Sequence, residues 1–372
     1  MSSKQKLLVL TIGYGQGHCA AAAALEEEFK DRGWNVRVID PCESDKSGVY
    51  ALTKWYYRLC VRRAPWLWGI TYGQTDTSDW SSKVDWPGIR SVVRCLQDEL
   101  ISWKPDYVLC TYPLYGYMLD AIADKGVYRV PYAMVVTDSI EISKPWLHTQ
   151  AETIYVPDEY SRELINTRYK LKTERLIASG FPVRKAFLVP SVVAPPDEGH
   201  LRIVYGAYLG ARESERQIKS LLRRYPYAHI HVLAGERFEY LSKCFSRLQY
   251  EGSVDVVKSS AHMSDLFSHA HVYIGKTGAA TMFESYAKSV PFIANFALPG
   301  QEQGNLELLI QDGVGTWAGS TEQLGVLLDA LLQDGARRWH LMKHNMQVLR
   351  KRVSGAEVIA NDVIKLACQD ER

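Results

Sequence analysis

A histidine behind a glycine-rich segment is the first residue of this chain whose type and position suit catalysis. His18 ends the segment Gly13-Tyr14-Gly15-Gln16-Gly17-His18, between an apolar run and a run with helical periodicity. At a helix start an imidazole tends to stay neutral and can accept a proton from an attacking hydroxyl. A capping or packing histidine is the alternative, but the surrounding glycines leave room for a ligand. We therefore regard His18 as a candidate general base.

A second segment suits the binding of a nucleotide sugar. It reads Gly275-Lys276-Thr277-Gly278-Ala279-Ala280-Thr281, then Glu284, then Pro299-Gly300-Gln301-Glu302-Gln303-Gly304-Asn305. A helix is predicted to begin at Thr277-Gly278, where unpaired N–H groups and partial positive charge favour phosphate. Glu284, about two turns along this helix, can accept hydrogen bonds from a ribose diol, and the later acid and amide groups suit sugar hydroxyls. Two ordinary strand–loop–helix junctions are the alternative.

The first glycine-rich segment also looks like a dinucleotide-binding fingerprint, with Asp40 after the next strand as the expected ribose acid. Two features oppose NAD binding. The spacing Gly-x-Gly-x-Gly-His puts His18 where a third glycine would allow close helix packing. No acid–base set for hydride transfer can be picked out in the rest of the sequence. We therefore do not predict a NAD site.

The elements that must position these residues follow from the apolar pattern, which alternates short runs with helical periodicity and indicates mostly parallel α/β sheets. In the first half, strands are predicted at Leu7–Ile12, Val36–Ile39, Tyr107–Thr111, Tyr132–Val136 and Thr153–Val156, with helices near 19–32, 50–62, 88–103, 115–124 and 159–168. Later strands are predicted at Arg202–Tyr205, His229–Leu233, Val254–Val257, Val272–Ile274 and Phe292–Ala294.

A proline-containing stretch, Leu188–His200, has no periodicity and is typical of a linker. It separates a predicted N-terminal domain, 1–195, from a predicted C-terminal domain, 200–372, whose last helix could pack back on the first domain. Two Rossmann-like halves of this kind predict a cleft between them, with ligands at the carboxyl ends of the strands.

Composition narrows the function classes. With 47% hydrophobic and 23% charged residues the chain is globular, and a net charge of +2 gives no overall attraction to nucleic acid. No apolar run approaches the roughly 20 residues that span a bilayer, and the first residues lack the apolar region of a signal peptide. Seven scattered cysteines indicate a reduced, cytoplasmic chain. No clustered His, Cys, Asp or Glu ligand set is apparent, so neither a metal nor another cofactor is expected.

Residues 50–90 concentrate aromatic and basic side chains that suit a lipid headgroup region and anionic lipid. The aromatic residues are Tyr50, Trp55, Tyr56, Tyr57, Trp66, Trp68, Tyr72, Trp80 and Trp86, and the basic ones are Lys54, Arg58, Arg62 and Arg63. A half-buried core under a long helix–loop insertion is the alternative. The later basic run, Arg337 to Arg352, could attract phosphate, but we interpret it as a solvated helix face.

Five motifs, in order and spread over nearly the whole chain, resemble those of the monogalactosyldiacylglycerol synthases and processive diacylglycerol glucosyltransferases. They are Gly15–Leu25, which reads Gly-x-Gly-His-x-x-Ala-Ala-x-Ala-Leu; Leu59–Tyr72 with Pro65-Trp66-Leu67-Trp68; Val135-Val136-Thr137-Asp138 with Trp146, His148 and Tyr155-Val156-Pro157; Gly180-Phe181-Pro182-Val183-Arg184; and the Lys276–Glu284 and Pro299–Asn305 segments.

The resemblance implies a GT-B fold, in which two Rossmann-like domains with mostly parallel sheets face an interdomain cleft. It implies an inverting, metal-independent hexosyltransferase that moves galactose or glucose from a UDP-sugar to diacylglycerol, peripherally at the cytoplasmic face of an anionic membrane. The resemblance, taken together with the residue types, assigns His18 and Asp138 to catalysis; Gly210, Met263, Lys276, Thr277, Gly278, Glu284, Gln301, Glu302 and Asn305 to the donor; and Gly17, Trp55, Arg62, Arg63, Trp66, Trp68 and Trp146 to the acceptor or membrane.

The chain departs from the family pattern around the donor. Gly206–Gly210 is less glycine-rich, Lys258-Ser259 replace a Gly-Phe pair before Met263, and Ala279-Ala280 replace a glycine-rich turn. Three alternatives stay open: another lipid or hydrophobic acceptor, a catalytically silent UDP- or lipid-binding homologue, and Asp138 instead of His18 as the base. We favour His18 as the base, and leave galactose and glucose both open.

Overall fold

The computed structural model describes residues 4–13, 16–44, 48–77, 80–140, 142–170, 173–197, 200–250, 252–258, 263–300 and 302–370. The chain divides into two compact units. Unit 1 comprises Met1–Lys185, Pro299–Gly304 and Lys351–Arg372, and unit 2 comprises Ala186–Leu298 and Asn305–Arg350. In the part of the chain described, no helix combines the length and apolarity needed to cross a bilayer.

Unit 1 is built on a six-stranded parallel sheet. Its strands are β1 (Lys6–Leu10), β2 (Asn35–Ile39), β3 (Tyr107–Cys110), β4 (Tyr132–Val135), β5 (Thr153–Val156) and β6 (Leu176–Ala178), in the order β2-β1-β3-β4-β5-β6. Its first helices are α1 (Gln16–Asp31), α2 (Val49–Arg63), α3 (Pro65–Thr77), α4 (Pro87–Trp103), α5 (Pro113–Asp124) and α6 (Glu159–Tyr169). Alternate residues of β1 enter two different cores, Leu7 with α1 and Leu8 with α4, so both faces of this sheet are covered.

Unit 2 repeats this architecture. Its strands are β7 (Arg202–Gly206), β8 (His229–Leu233), β9 (Val254–Val257), β10 (Val272–Lys276), β11 (Phe292–Phe296) and β12 (Gly315–Trp317), in the order β12-β11-β10-β7-β8-β9. The helices are α7 (Ala211–Arg224), α8 (Phe238–Cys244), α9 (Ser246–Tyr250), α10 (Met263–His269), α11 (Ala279–Lys288), α12 (Gln303–Gln311) and α13 (Thr321–Val348). Residues Gln333–Ala336 of α13 leave helical geometry and form a kink.

The last helix, α14 (Gly355–Asp370), belongs to unit 1. Its Ile359 and Val363 enter the same core as Phe29 of α1. The Tyr155 hydroxyl on β5 donates a hydrogen bond to the Asp362 carboxylate at 2.7 Å. The C-terminal segment therefore completes the unit with which the chain begins.

The Gly180–Arg184 motif contacts the chain just before α14, at Lys351 and Arg352. Gly180 has a φ of 87°, and a Cβ there would overlap the carbonyl of Lys351, so only glycine fits. The Phe181 N–H donates to the Arg352 carbonyl at 2.8 Å, and the Arg352 guanidinium lies 3.4 Å from the buried Asp158 carboxylate. The motif therefore has a structural role within unit 1.

The predicted α/β class is confirmed, and all ten predicted strands are present with ends that shift by two residues or fewer. The structure adds β6 and β12, which are three residues each and too short to show a period. The interpretation of the basic run as a solvated face is wrong for Lys343 and Arg350. Lys343 donates to the Ser191 carbonyl at 3.2 Å, and Arg350 donates to the carbonyls of Leu188 and Ala287, so both hold the linker segment.

Candidate functional site

Three segments meet at the carboxyl edge of the unit 1 sheet. His18 lies in the first turn of α1, directly after β1, while Thr111 follows β3 and Thr137-Asp138 follow β4. These three strands are neighbours and parallel, so their carboxyl ends lie side by side. The topology therefore brings together residues that are more than ninety positions apart in the sequence.

The protonation of His18 follows from its contacts. Its Nδ1 lies 2.6 Å from the Thr111 carbonyl oxygen and 2.9 Å from the Thr137 hydroxyl. Because a carbonyl can only accept, we assign the proton to Nδ1, which leaves a lone pair on Nε2. Burial lowers the pKa of His18 to about 4, although the Thr111 carbonyl acts in the opposite direction. The imidazole is therefore neutral near pH 7, with Nε2 able to accept a proton.

Aromatic rings fix the plane of this imidazole. Tyr112 meets it edge-on with ring centroids 5.4 Å apart, and Trp146 lies tilted at 6.2 Å. A Cβ added at Gly17 would meet nothing within 4 Å, so the space beside the preceding residue is open. The predicted role of the glycines, to leave room next to His18, agrees with this opening.

Asp138 is buried, and the Trp146 indole N–H donates to its Oδ2 at 2.9 Å. Trp146 was expected to contact the acceptor or the membrane. Only 1% of it is exposed, so a membrane contact is wrong. Its bond to Asp138 and its proximity to His18 instead make it a positioning residue for both catalytic candidates.

Asp40 binds the glycine-rich segment and its neighbours, and its carboxylate is not left open for a ribose. Its carboxylate accepts hydrogen bonds from the backbone N–H groups of Gly13 and Cys42, both at 2.9 Å. The hydroxyls of Tyr50 and Tyr115 donate to it at 2.8 and 2.9 Å. Four donors occupy the acceptor positions that a carboxylate offers, which opposes the dinucleotide alternative for this segment.

The aromatic residues of 50–90 divide between surface and interior. Trp55 and Trp66 are 59% and 66% exposed, and Leu52 and Ile70 are exposed beside them on the same helix faces. We name these four residues the α2–α3 surface. Trp68 packs edge-on against Tyr57 with centroids 4.8 Å apart, so the half-buried alternative is right for this pair. The side chains of Arg62, Arg63 and Tyr72 lie outside the described part.

A different kind of site forms at the carboxyl edge of the unit 2 sheet, where β10 meets α11. The Thr277 N–H donates to the Phe296 carbonyl at 3.1 Å, and the Asn305 side-chain amide donates to the Thr277 carbonyl at 2.9 Å. Gly278 is the N-cap of α11, and no described side chain caps it. The first N–H groups of α11 are therefore available to an anion.

The other donor candidates lie at several places. Lys276 is half-buried at the same junction, with Nζ 5.1 Å above the Tyr208 ring, and Glu284 is buried in α11. Gly210, with a φ of 90°, is the N-cap of α7 and lines a surface depression of about 780 Å³ together with Arg212 and Arg216. The β7 and β10 strands are neighbours, so both helix starts are on one edge of the sheet.

Two further donor candidates lie away from this junction, and a third lies outside the residues that the structure describes. Met263 is buried at the start of α10, which follows the edge strand β9. Glu302 is buried in Pro299–Gly304, a segment that belongs to unit 1 and approaches α3, where a Cβ at Gly69 would lie 3.1 Å from Pro299. Gln301 lies outside the described residues.

Sequence reasoning missed several contacts. The Thr111 carbonyl carries no side-chain signal, and the Trp146–Asp138 bond could not be read from spacing alone. The sequence analysis also did not bring together His229, His231 and Asp255, which lie close to one another on β8 and β9. The signal was the His-x-His alternation within a predicted strand.

Comparisons with known proteins show which proteins this chain resembles. A family model described as monogalactosyldiacylglycerol (MGDG) synthase matches residues 18–183, the part that contains His18 and Asp138. A processive diacylglycerol beta-glucosyltransferase of Bacillus mycoides (strain KBAB4) is 24% identical over 370 residues, covering 95% of this chain and 92% of the relative. The chain is related to this family. The resemblance predicted from the five motifs is thus confirmed.

Solved structures show the fold at lower identity. MurG of Acinetobacter baumannii aligns with a TM-score of 0.59 at 14% identity, covering 98% of this chain and all of MurG. Os79 from O. sativa, solved with U2F and trichothecene, aligns with a TM-score of 0.64 at 11% identity over 98% and 99% of the two chains. The predicted GT-B fold is confirmed, and the family matches confirm the prediction of a glycosyltransferase enzyme.

Proposed function

We propose that this enzyme transfers glucose or galactose from a UDP-sugar to diacylglycerol, with inversion at the anomeric carbon. The single observation that supports the proposal most is the contact of His18 Nδ1 with the Thr111 carbonyl, because it leaves Nε2 as a proton acceptor. A base of this kind is what an acceptor hydroxyl needs when it attacks a sugar carbon.

The reaction is a single displacement. The acceptor oxygen forms a bond to the anomeric carbon of the α-linked sugar, the carbon–oxygen bond to UDP breaks, and UDP leaves with the electron pair. The proton of the acceptor hydroxyl goes to His18 Nε2. Attack opposite the leaving group turns the α-linkage into a β-glycoside. Asp138 is held by Trp146 and adjoins Thr137, whose hydroxyl lies 2.9 Å from His18 Nδ1, so we assign its carboxylate the role of offsetting the positive charge of the imidazole that forms.

We assign the UDP group to the carboxyl edge of unit 2. The leaving diphosphate gains negative charge, and the start of α11 offers N–H groups and partial positive charge at Gly278. Lys276 adds a cation at the same junction. Asn305 holds the Thr277 carbonyl and so keeps the junction in this conformation. Together these groups offer charge stabilisation supplied by the chain itself.

The α2–α3 surface supports a membrane-bound acceptor. Leu52 and Trp55 are three residues apart on α2, and Trp66 and Ile70 are four apart on α3, so each pair presents one apolar face. Aromatic and aliphatic side chains of this kind bind at the boundary of headgroups and acyl chains. We propose that this surface brings unit 1 to the bilayer in which diacylglycerol resides.

The decisive experiment incubates the purified protein and diacylglycerol liposomes with UDP-glucose and UDP-galactose separately, and identifies glycolipids by mass spectrometry. We expect a monohexosyl diacylglycerol with at least one donor. The relative's name favours glucose and the family model's name favours galactose, so both arms are needed. UDP binding without product from either donor would instead support the catalytically silent homologue.

A second experiment separates a membrane acceptor from another hydrophobic acceptor. The double change Trp55→Ser and Trp66→Ser should weaken binding to anionic liposomes by about tenfold or more. Burial of each indole in the bilayer contributes up to about 1.5–3 kcal/mol to the binding free energy, and the changes remove this contribution. Activity on detergent-dispersed diacylglycerol should change little. Tyr227→Ser is the matched control, since Tyr227 is 77% exposed on unit 2. Equal liposome binding by the double variant would contradict the assigned surface.

A further inference from the structure

Two imidazoles and a carboxylate converge at the edge of the unit 2 sheet. His229 and His231 are alternate residues of β8, so both side chains project from the same face of the sheet. Asp255 of β9 pairs directly with His231 in the parallel register. β9 is the outermost strand, His229 begins β8, His231 is its middle residue, and Asp255 is the second residue of β9. The cluster is thus away from the carboxyl edge to which we assign UDP.

The distances between the possible ligand atoms suit one ion. His229 Nε2 lies 2.8 Å and His231 Nδ1 lies 3.6 Å from Asp255 Oδ2, and all three atoms lie within 4.8 Å of one another. Tetrahedral zinc with bonds of about 2.0–2.2 Å places its ligand atoms roughly 3.4 Å apart. The observed separations of 2.8 and 3.6 Å lie on either side of this ligand–ligand distance. Rotation of the side chains is therefore enough to reach the tetrahedral geometry.

His231 gives a second reason to infer a ligand. Its Nδ1 atom is buried and makes no hydrogen bond to any described group. An imidazole nitrogen in such a position normally has a partner, because an unmade hydrogen bond leaves the desolvation cost uncompensated. A metal ion accepts the same lone pair and would provide that partner.

One cation on the same face opposes metal binding. Arg202 of β7 pairs with His229, and its charge acts on His231. The Asp255 carboxylate offsets this charge, and its exposed position allows water to screen the pair. These opposing charges lead us to expect micromolar rather than tighter affinity.

We propose that His229, His231 and Asp255 form a binding site for a divalent transition metal ion, with Zn²⁺ as the reference ion and water in the fourth position. Two imidazoles with one carboxylate select Zn²⁺, Co²⁺ or Ni²⁺ over Mg²⁺ and Ca²⁺, which prefer oxygen ligands. The bound ion joins the edge strand β9 to β8. Its effect is therefore on the stability of unit 2 and not on the transfer step.

The test is calorimetric titration of the full chain, free of any histidine tag, with Zn²⁺ and in parallel with Mg²⁺. We expect one saturable Zn²⁺ site per chain with micromolar Kd, no Mg²⁺ binding at that site, and a rise of several degrees in Tm with excess Zn²⁺. His231→Ala and Asp255→Asn should each weaken Zn²⁺ binding at least tenfold and abolish the rise in Tm. Circular dichroism of each variant verifies that it is folded.

His200→Ala is the matched control, because His200 contacts Asp197 at 3.2 Å and is not part of a described group of three ligands. Its Zn²⁺ affinity should stay within about twofold of the unchanged chain. The proposal is overturned if the unchanged chain shows no saturable Zn²⁺ site, or if folded His231→Ala and Asp255→Asn bind with unchanged affinity. Equal loss of binding in His200→Ala would overturn it as well.

Discussion

The carboxyl edges of the two sheets have the same architecture and different chemistry. Each edge belongs to a six-stranded parallel sheet, and each has a helix that begins directly after a central strand. In unit 1 the first turn of that helix carries His18, whose orientation is fixed by contacts from the segments that follow two neighbouring strands. In unit 2 the helix start at Gly278 offers backbone N–H groups. Parallel topology thus supplies a common location, and local sequence decides whether that location holds a buried imidazole or offers backbone N–H groups.

The largest expected effect tests the unit 1 half of this comparison. His18→Gln should lower kcat by about 10²- to 10⁴-fold, because the amide can still donate to the Thr111 carbonyl but cannot accept the acceptor's proton. The Kd for UDP should stay within about twofold. Steady-state kinetics and UDP calorimetry measure the two quantities. Transfer by His18→Gln at the normal rate would remove His18 from the role of base.

The second prediction decides between the two roles of Asp138. Trp146→Phe removes the indole N–H that holds Asp138, and Asp138→Asn removes the charge. We expect each to lower kcat by roughly 10- to 100-fold, as misplacement of a catalytic group does. The double variant should be little worse than either single one, because both changes affect the same contact. If Asp138→Asn alone matches His18→Gln, Asp138 is the base instead.

The third prediction tests the unit 2 half. Asn305→Ala removes the amide that donates to the Thr277 carbonyl, a hydrogen bond of about 1 kcal/mol, so donor KM should rise about fivefold. The value of kcat at saturating donor should be nearly unchanged. Gln311→Ala, an exposed amide at the end of the same helix, is the control. A loss confined to kcat would contradict the division between base and donor edges.

The smallest expected effect is the pH dependence. Burial lowers the pKa of His18 from 6.5 to about 4, so the imidazole is already neutral throughout pH 5.5–8. The His18-dependent part of kcat/KM should therefore be flat over this range and fall only as the pH approaches 4. The pKa of His18 is lower in the folded state than in the unfolded state, so the free energy of unfolding decreases as the pH falls from 6.5 to about 4. A folding measurement must therefore accompany the pH profile. An inflection near pH 6.5 that depends on His18 would contradict its burial.

The helices and strands were predictable because apolar periodicity is a local property. Strands such as Tyr107–Cys110 and Thr153–Val156 are short runs buried on both faces, and the pattern shows this directly. The three-residue strands β6 and β12 were missed because their pairing partners, and not their own residues, define them. The same reason explains the role of Gly180, whose neighbour Lys351 lies far along the chain.

The candidate site was predictable in its residue types and less so in its contacts. The motif resemblance assigned Trp146 to the acceptor or the membrane, whereas packing buries it against Asp138. Asp40 looked like a ribose acid from spacing, whereas Tyr50 and Tyr115 occupy its oxygens. In each case the sequence indicates a chemical group, and hydrogen-bond donors from other parts of the chain determine what that group can still bind.

The sequence by itself determined the resemblance to diacylglycerol glycosyltransferases, the two α/β halves and the identity of His18 as the candidate base. Only the tertiary structure decided which nitrogen of His18 carries the proton, since the Thr111 carbonyl lies directly after another strand, β3. The tertiary structure also decided that His229, His231 and Asp255 share one face, because the register of β8 and β9 places Asp255 beside His231. Order along the chain encodes residue type and period, whereas protonation, burial and ligand geometry depend on atoms that only folding brings together.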